Sequence, residues 1–204
     1  MALSETAKAA RRQRLVDSAH ALIRESGAGF SMLQLAEHAG VSPATPYNLL
    51  GSKTEVLHHV IRDEFARFSQ RLARQAQAER PLDRLLQATD LVVTHYADEP
   101  AFYRGLYRAA LGTEVRGMMS DLGQTLWCQL VSQAVAAGDL SPRIPAAELT
   151  AVLLRAMAGT TQAWLAEDWP TDRFAAEMTR ATRLLLLGLV SDADRARLLA
   201  SLSP

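Results

Sequence analysis

Five histidines, one cysteine and a wide scatter of serines and carboxylates are what this 204-residue chain has for chemistry. Their spacing offers little to catalysis. His59 and Asp63 stand one helical turn apart and could supply two corners of a metal site, but two ligands without a third make a weak case. A solvated helix face is the stronger reading of His58, His59 and Asp63, and no metal or cofactor is expected. Cys128 stands alone, which excludes an internal disulfide framework and a multi-cysteine zinc site. No nucleophile elbow, phosphate-binding glycine loop or HExxH motif occurs, and no serine is paired with a base in sequence. The expectation is a protein that is not an enzyme.

Hydroxyl and amide groups near the N-terminus are spaced for a different purpose. Ser31 followed by Gln34 reads as a capping box, in which two side chains satisfy two orphan backbone N–H groups. Phe30 and Leu35 fall at the N′ and N4 positions, where they can staple together. A helix should follow from Met32 to Ala39, with Gly40 as the left-handed residue that lets the chain turn. Ser42 is expected to cap the next helix, with Pro43 in its first position, and that helix should end near Leu50. Gly51 stops it, and Ser52-Lys53-Thr54-Glu55 reads as a second capping box. Two short capped helices joined by a glycine-containing turn make a helix-turn-helix, whose second helix would enter the major groove by its N-terminal end. By spacing alone the same pattern also fits an ordinary helical hairpin.

The elements that must hold these residues are helical. The chain has 35 Ala and 31 Leu against 3 Ile and 11 Val. Ala and Leu favour helices, whereas β-branched residues favour strands. Glycines and prolines divide the chain into about nine or ten helical segments. A long one runs from Ser52 to about Ala78, others follow Pro81 and Pro100, and one runs from Met118 to Ala137. Two strongly apolar ones cover about 146–167 and 171–190, and a short last helix follows Ser191. The formal net charge is zero, with 22 basic and 22 acidic residues, which excludes a polycation or an acidic tail but not a local basic patch. The run MALSETAKAARRQR holds no apolar stretch of signal-peptide length. No apolar run reaches the roughly 18–20 residues that span a bilayer. A soluble, cytoplasmic protein without membrane attachment is expected.

Residues 11–60 resemble the DNA-binding domain of the TetR family of bacterial transcriptional regulators. The matching residues are Ser31, Leu35-Ala36, Ala39-Gly40-Val41-Ser42, Tyr47, Gly51-Ser52-Lys53 and Leu57. Beyond this quarter of the chain, helix number, length and segments such as Ala137-Gly138-Asp139-Leu140 agree loosely. The resemblance implies a DNA-binding domain over 1–55 with a three-helix helix-turn-helix, joined by a long helix to a ligand-binding and dimerisation domain over 56–204. It implies phosphate contacts from Ser31, Tyr47 and Lys53 and groove contacts around Ala44, Thr45 and Asn48, with Ser42 also among the DNA-binding residues. Such phosphate contacts position a protein without reading sequence. Thr45 and Asn48 can hydrogen-bond base edges, and Ala44 or Pro46 can touch a thymine methyl.

The chain departs from the family pattern at two places. Pro46 stands where leucine is usual and would remove a backbone bond to the Ser42 carbonyl. Leu49-Leu50 replaces a histidine-phenylalanine pair. The recognition helix also holds no arginine, the residue that makes the bidentate contact to guanine. Lys8, Arg11, Arg12 and Arg14 are read as a basic arm ahead of the first helix, contributing Arg11 and Arg12 to the phosphate backbone or the minor groove.

In the second half, Ala156, Gly159 and Ala163 leave a thin stripe along the 146–167 helix. Phe174, Met178, Ala181 and Leu185 give the 171–190 helix an apolar face. As the family resemblance implies, these two helices would be doubled by a two-fold axis into a four-helix homodimer interface. Candidates to line a ligand pocket are His95, Tyr96, Phe102, Tyr103, Tyr107, Met118, Met119, Trp127, Cys128 and Trp164. The set suits a hydrophobic or aromatic effector with one or two polar handles. The reading is a homodimeric regulator, a repressor that binds a palindromic DNA operator and is released by a small molecule. The alternative is a small-molecule-binding helical bundle, or an enzyme, with degenerate DNA binding.

Overall fold

The structure, a computed structural model, describes residues 5–110 and 115–202, with the backbone alone at 28, 110 and 115–121. Among the described residues, ten α-helices and one short 3₁₀ turn account for the regular structure, and no strand occurs. The helices are α1 (Glu5–Ser26), α2 (Met32–His38), α3 (Ala44–Leu50), α4 (Lys53–Gln75) and α5 (Pro81–Asp98). They continue as α6 (Pro100–Ala110), α7 (Val115–Ala136), α8 (Ala146–Glu167), α9 (Thr171–Leu186) and α10 (Asp192–Ala200). Among the described residues no helix is long and apolar enough to cross a membrane.

The chain forms two compact units and passes between them three times: inside α4, between α5 and α6, and inside α7. One unit holds the residues up to Arg67 together with the segment from Glu99 to Met119. Leu15, Ala19 and Ile23 of α1, Leu35 of α2, Leu50 of α3, Val60 of α4 and Phe102 of α6 are buried in it. In this unit α6 packs against α1 and the Gly27–Gly29 turn. Compactness thus groups α6 with the N-terminal helices.

The other unit holds Phe68–Asp98 and Ser120–Pro204. Its core includes Leu82 and Leu85 of α5, Val131 of α7, Leu153 and Trp164 of α8, Phe174 and Met178 of α9, and Leu198 of α10. Arg80, just before α5, ties this unit together from its edge. Its Nη2 lies 2.7 Å from Asp139 Oδ1 and 3.0 Å from Asp194 Oδ2. Asp139 also accepts from the Leu82 N–H at 3.0 Å, so one guanidinium and one carboxylate fix the start of α5.

Two expectations change here. The basic cluster is not an arm ahead of the first helix, because α1 begins at Glu5 and Lys8, Arg11, Arg12 and Arg14 lie on it. The sequence there is rich in Ala, Lys, Arg and Gln, all good helix formers, and Glu5 sits favourably in the first turn. At the other end, α9 stops at Leu186 and residues 187–189 form a turn, so the Leu184–Leu187 run is not wholly helical.

Candidate nucleic-acid interface

The helix-turn-helix is built as the local sequence dictates, with one difference. At α2 the capping box forms: Gln34 N–H donates to Ser31 Oγ at 3.2 Å, and Ser31 N–H donates to Gln34 Oε1 at 2.7 Å. Gly40 takes φ +64 after α2, and Val41 N–H returns to the Ala36 carbonyl at 3.0 Å. Gly51 takes φ +80 after α3. The second box also forms, with Ser52 N–H 2.6 Å from Glu55 Oε2 and Glu55 N–H 3.3 Å from Ser52 Oγ. The hydrogen bonds from Ser52 hold the Glu55 carboxyl below the usual range.

The difference is at α3. Ser42 does not cap the helix through a backbone N–H. Its hydroxyl lies 2.8 Å from Thr45 Oγ1, while its carbonyl accepts the Thr45 N–H at 2.9 Å. Pro43 precedes the first helical residue, Ala44. This shift settles the effect of Pro46. It falls in the first turn of α3, where backbone N–H groups have no intrahelical partner, so its missing N–H costs no helical bond. Its ring is buried and α3 runs unbroken to Leu50.

The residues expected to meet DNA lie together on this motif. Ser31, Ser42, Ala44 and Asn48 are exposed, Thr45 is half-buried, and Tyr47 is 58% exposed despite its aromatic ring. Leu33 on α2 is 51% exposed, a position that sequence reading missed because it lies outside the matched residues. Lys53 stands at the start of α4 with Nζ 4.9 Å from the Phe30 ring centroid. Arg12 takes a part that the sequence did not show. Its Nε donates to the Leu49 carbonyl at 3.2 Å, so it braces the C-terminal end of α3 from α1. Arg11 on the same helix is half-buried and Arg14 is exposed.

His95, Tyr96 and Trp164 come together among the pocket candidates. The Tyr96 ring lies 6.2 Å from Trp164 and 6.1 Å from His95, while Phe68 lies 5.2 Å from His95. Phe174 joins this cluster, stacked on Trp164 at 4.7 Å. Trp127 is buried on α7, and Cys128 Sγ lies 3.9 Å from Ser132 Oγ. Phe102 and Tyr103 belong to the other compact unit, where they contact His20 and Glu64, and Tyr107 lies on the same helix. The side chains of Met118 and Met119 lie outside the described residues.

The dimerisation candidates need a correction. Phe174 and Met178 are fully buried within their own chain, so they cannot form a partner-facing surface. Their helix face is apolar because it packs on α8 and α5. The outward stripe consists of Ala156, Gly159 and Ala163, with Val152 in line with them, and Leu184 on α9, which is 51% exposed. Ala181 and Leu185 are half-buried.

No protein-family model matches the chain, and no curated protein matches it. Solved structures do. SmeT of Stenotrophomonas maltophilia, the repressor of the multidrug efflux pump SmeDEF, superposes with a TM-score of 0.69 at 17% identity, covering 89% of this chain and 91% of its own. TylP, a TetR regulator from Streptomyces fradiae, gives 0.69 at 18% identity, covering 95% and 86%. A γ-butyrolactone receptor described as ArpA-like gives 0.64 at 20% identity, covering 95% and 94%. The chain therefore has the fold of the TetR family of transcriptional regulators.

Proposed function

We propose that this chain is a TetR-family, DNA-binding transcriptional regulator, a cytoplasmic homodimer and a repressor whose operator affinity falls when a small hydrophobic or aromatic molecule binds. The reading rests above all on α3, a short helix that exposes Tyr47, Asn48 and Ala44 while its base is braced by Arg12 and its two neighbours are closed by capping boxes. Side chains held on a rigid frame and turned to solvent are what groove reading requires. The absence of arginine from α3 points to modest base readout, with DNA shape contributing part of the specificity.

The dimer would form through the outward stripe of α8 and the Leu184 face of α9. Two recognition helices about one DNA turn apart would then read a palindrome. The effector would sit in the unit that holds His95, Tyr96 and Trp164, whose aromatic cluster carries hydroxyl, imidazole and indole groups. Its signal has a direct covalent route. Helix α4 carries residues of both compact units along 23 residues, a span of about 34 Å. A change in its setting would alter the separation of the recognition helices. A coupling of about 1–3 kcal/mol would change operator affinity roughly 5–150-fold, and the operator would weaken effector binding by the same factor.

Titration of a fluorescent mixed-sequence duplex over a range of salt concentrations tests the DNA reading. Log K should fall linearly with log salt, as phosphate neutralisation requires. A chain that binds no duplex even at low salt would overturn it, and would favour the helical bundle that binds small molecules alone.

A further inference from the structure

The first compact unit also holds a largely buried cluster of titratable side chains from α1, α4 and α6. His20 of α1 is 1% exposed, and its ring stacks on Phe102 at 5.4 Å with 15° between planes. Its Nε2 lies 3.1 Å from Asp63 Oδ2, and its Nδ1 lies 3.4 Å from Glu64 Oε1. Neither nitrogen makes a hydrogen bond of acceptable geometry among the described residues. Glu64 is itself buried, and its Oε2 accepts the hydroxyl of Tyr103.

This arrangement leaves an unmet need for positive charge. A neutral imidazole has one N–H and one lone pair. With a carboxylate oxygen facing each nitrogen, at least one lone pair faces another. Arg67 answers the carboxylates only. Its Nη2 is 2.9 Å from Asp63 Oδ2 and its Nε is 3.7 Å from Glu64 Oε1, while the imidazole nitrogens stay without a hydrogen bond.

We propose that His20, Asp63 and Glu64 form a binding site for one divalent first-row transition-metal ion per chain. One ligand atom from each residue lies within 4.8 Å of the other two. One imidazole nitrogen with two carboxylate oxygens suits zinc, cobalt or manganese, and imidazole disfavours calcium and magnesium. The Phe102 stack and the Tyr103 hydroxyl orient two of the three donors, as groups around a metal ligand commonly do. Arg67 is half-exposed and holds the carboxylates in the ion's place, so it swings out to solvent as the ion enters. The site links α1 to α4 within one unit and stands independently of the DNA reading.

Cobalt is the probe. The full chain, stripped with a chelator, is titrated with Co²⁺, followed by visible absorption, and counted for bound metal after gel filtration. The expected result is one Co²⁺ per chain, displaced by Zn²⁺. Asp63→Asn should bind at least about ten-fold more weakly, the scale on which groups around a metal act. Asp63 lies at the rim of the cluster, so this variant keeps the fold, which circular dichroism verifies. Arg67→Ala should bind more tightly, because a competing cation is gone. Sub-stoichiometric cobalt, equal affinity in Asp63→Asn and Glu64→Gln, or weaker binding in Arg67→Ala would each overturn the proposal.

Discussion

Arg12 and Leu49 are 37 residues apart, yet the Arg12 guanidinium donates from Nε to the Leu49 carbonyl at 3.2 Å. A carbonyl in the last turn of α3 has no partner within the helix, so this bond satisfies it from outside. Arg12 thus supports α3, and under the proposed function the phosphate contact falls to Arg11. Arg12→Ala should lower stability by about 0.5–1.5 kcal/mol and weaken the preference among sequences. Arg11→Ala should weaken all duplexes alike and reduce the salt slope by about 1. Urea melts and anisotropy titrations of the two single variants separate these roles. Identical salt slopes for wild type and Arg11→Ala would remove Arg11 from the phosphate backbone.

Gly51 is fixed by two constraints at once. Its φ of +80 disfavours any side chain, and a Cβ there would lie 1.9 Å from Glu55 Oε2. Gly51→Ala should therefore cost about 1–3 kcal/mol, through backbone strain and the loss of the Ser52–Glu55 box. The cost should be smaller in a Glu55→Ala background, where the colliding carboxylate is absent. Thermal melts of the two single variants and the double variant close this cycle. An equal cost in both backgrounds would mean that strain alone acts.

Leu184 is the large apolar side chain that α9 turns outward, and Gly159 on α8 has no atom within 4 Å of a built Cβ. Neither supports its own chain. Leu184→Glu should leave the melting temperature of the dilute chain nearly unchanged and raise the dimer dissociation constant. Sedimentation equilibrium measures the second effect. A dimer of unchanged strength would place the interface on another surface.

Asp194 gives the fold an acid limit. Its carboxyl accepts from Arg80 Nη1 at 3.1 Å and Nη2 at 3.0 Å, and it also lies 2.9 Å from the Ser191 hydroxyl. The Arg80 hydrogen bonds, outweighing burial and helped by Ser191, hold it down to about 2. An unfolded aspartate titrates near about 3.9. The folded value is the lower one, so this stability is fully present above the unfolded value. It falls away as pH drops through the window between the two. Asp194→Asn should be less stable than wild type at neutral pH and lose less between pH about 4 and about 2. Denaturation curves across that range would show the two converging. Parallel curves would mean that Asp194 does not couple to folding.

What the sequence made legible was local. Ser31 with Gln34 and Ser52 with Glu55 lie three residues apart, so each box could be read before any fold was known. Gly40 and Gly51 announced their turns for the same reason. The bond that Pro46 cannot donate to the Ser42 carbonyl is absent, as its residue type implies; what its type does not show is that the Thr45 N–H takes that carbonyl and α3 starts one residue later, at Ala44. Phe174 and Met178 were rightly read as one apolar face. An apolar face does not state whether its cover is its own chain or another, and here it is α8 and α5. His20 meets Asp63 and Glu64 only because the fold brings these residues of α1 and α4 within side-chain reach. Sequence pairing instead offered His59 with Asp63, whereas Asp63 turns to His20 and Arg67.

Selection from a random duplex library with purified full-length chain, run at two salt concentrations, bears most directly on the central claim. A palindromic site with half-sites about one helical turn apart should be enriched. Asn48→Ala should relax preference at one position in each half-site, with a loss of about 1–3 kcal/mol there. Enrichment that survives in Asn48→Ala without change, or retention of duplex with no enriched sequence at either salt concentration, would contradict the claim that α3 reads DNA.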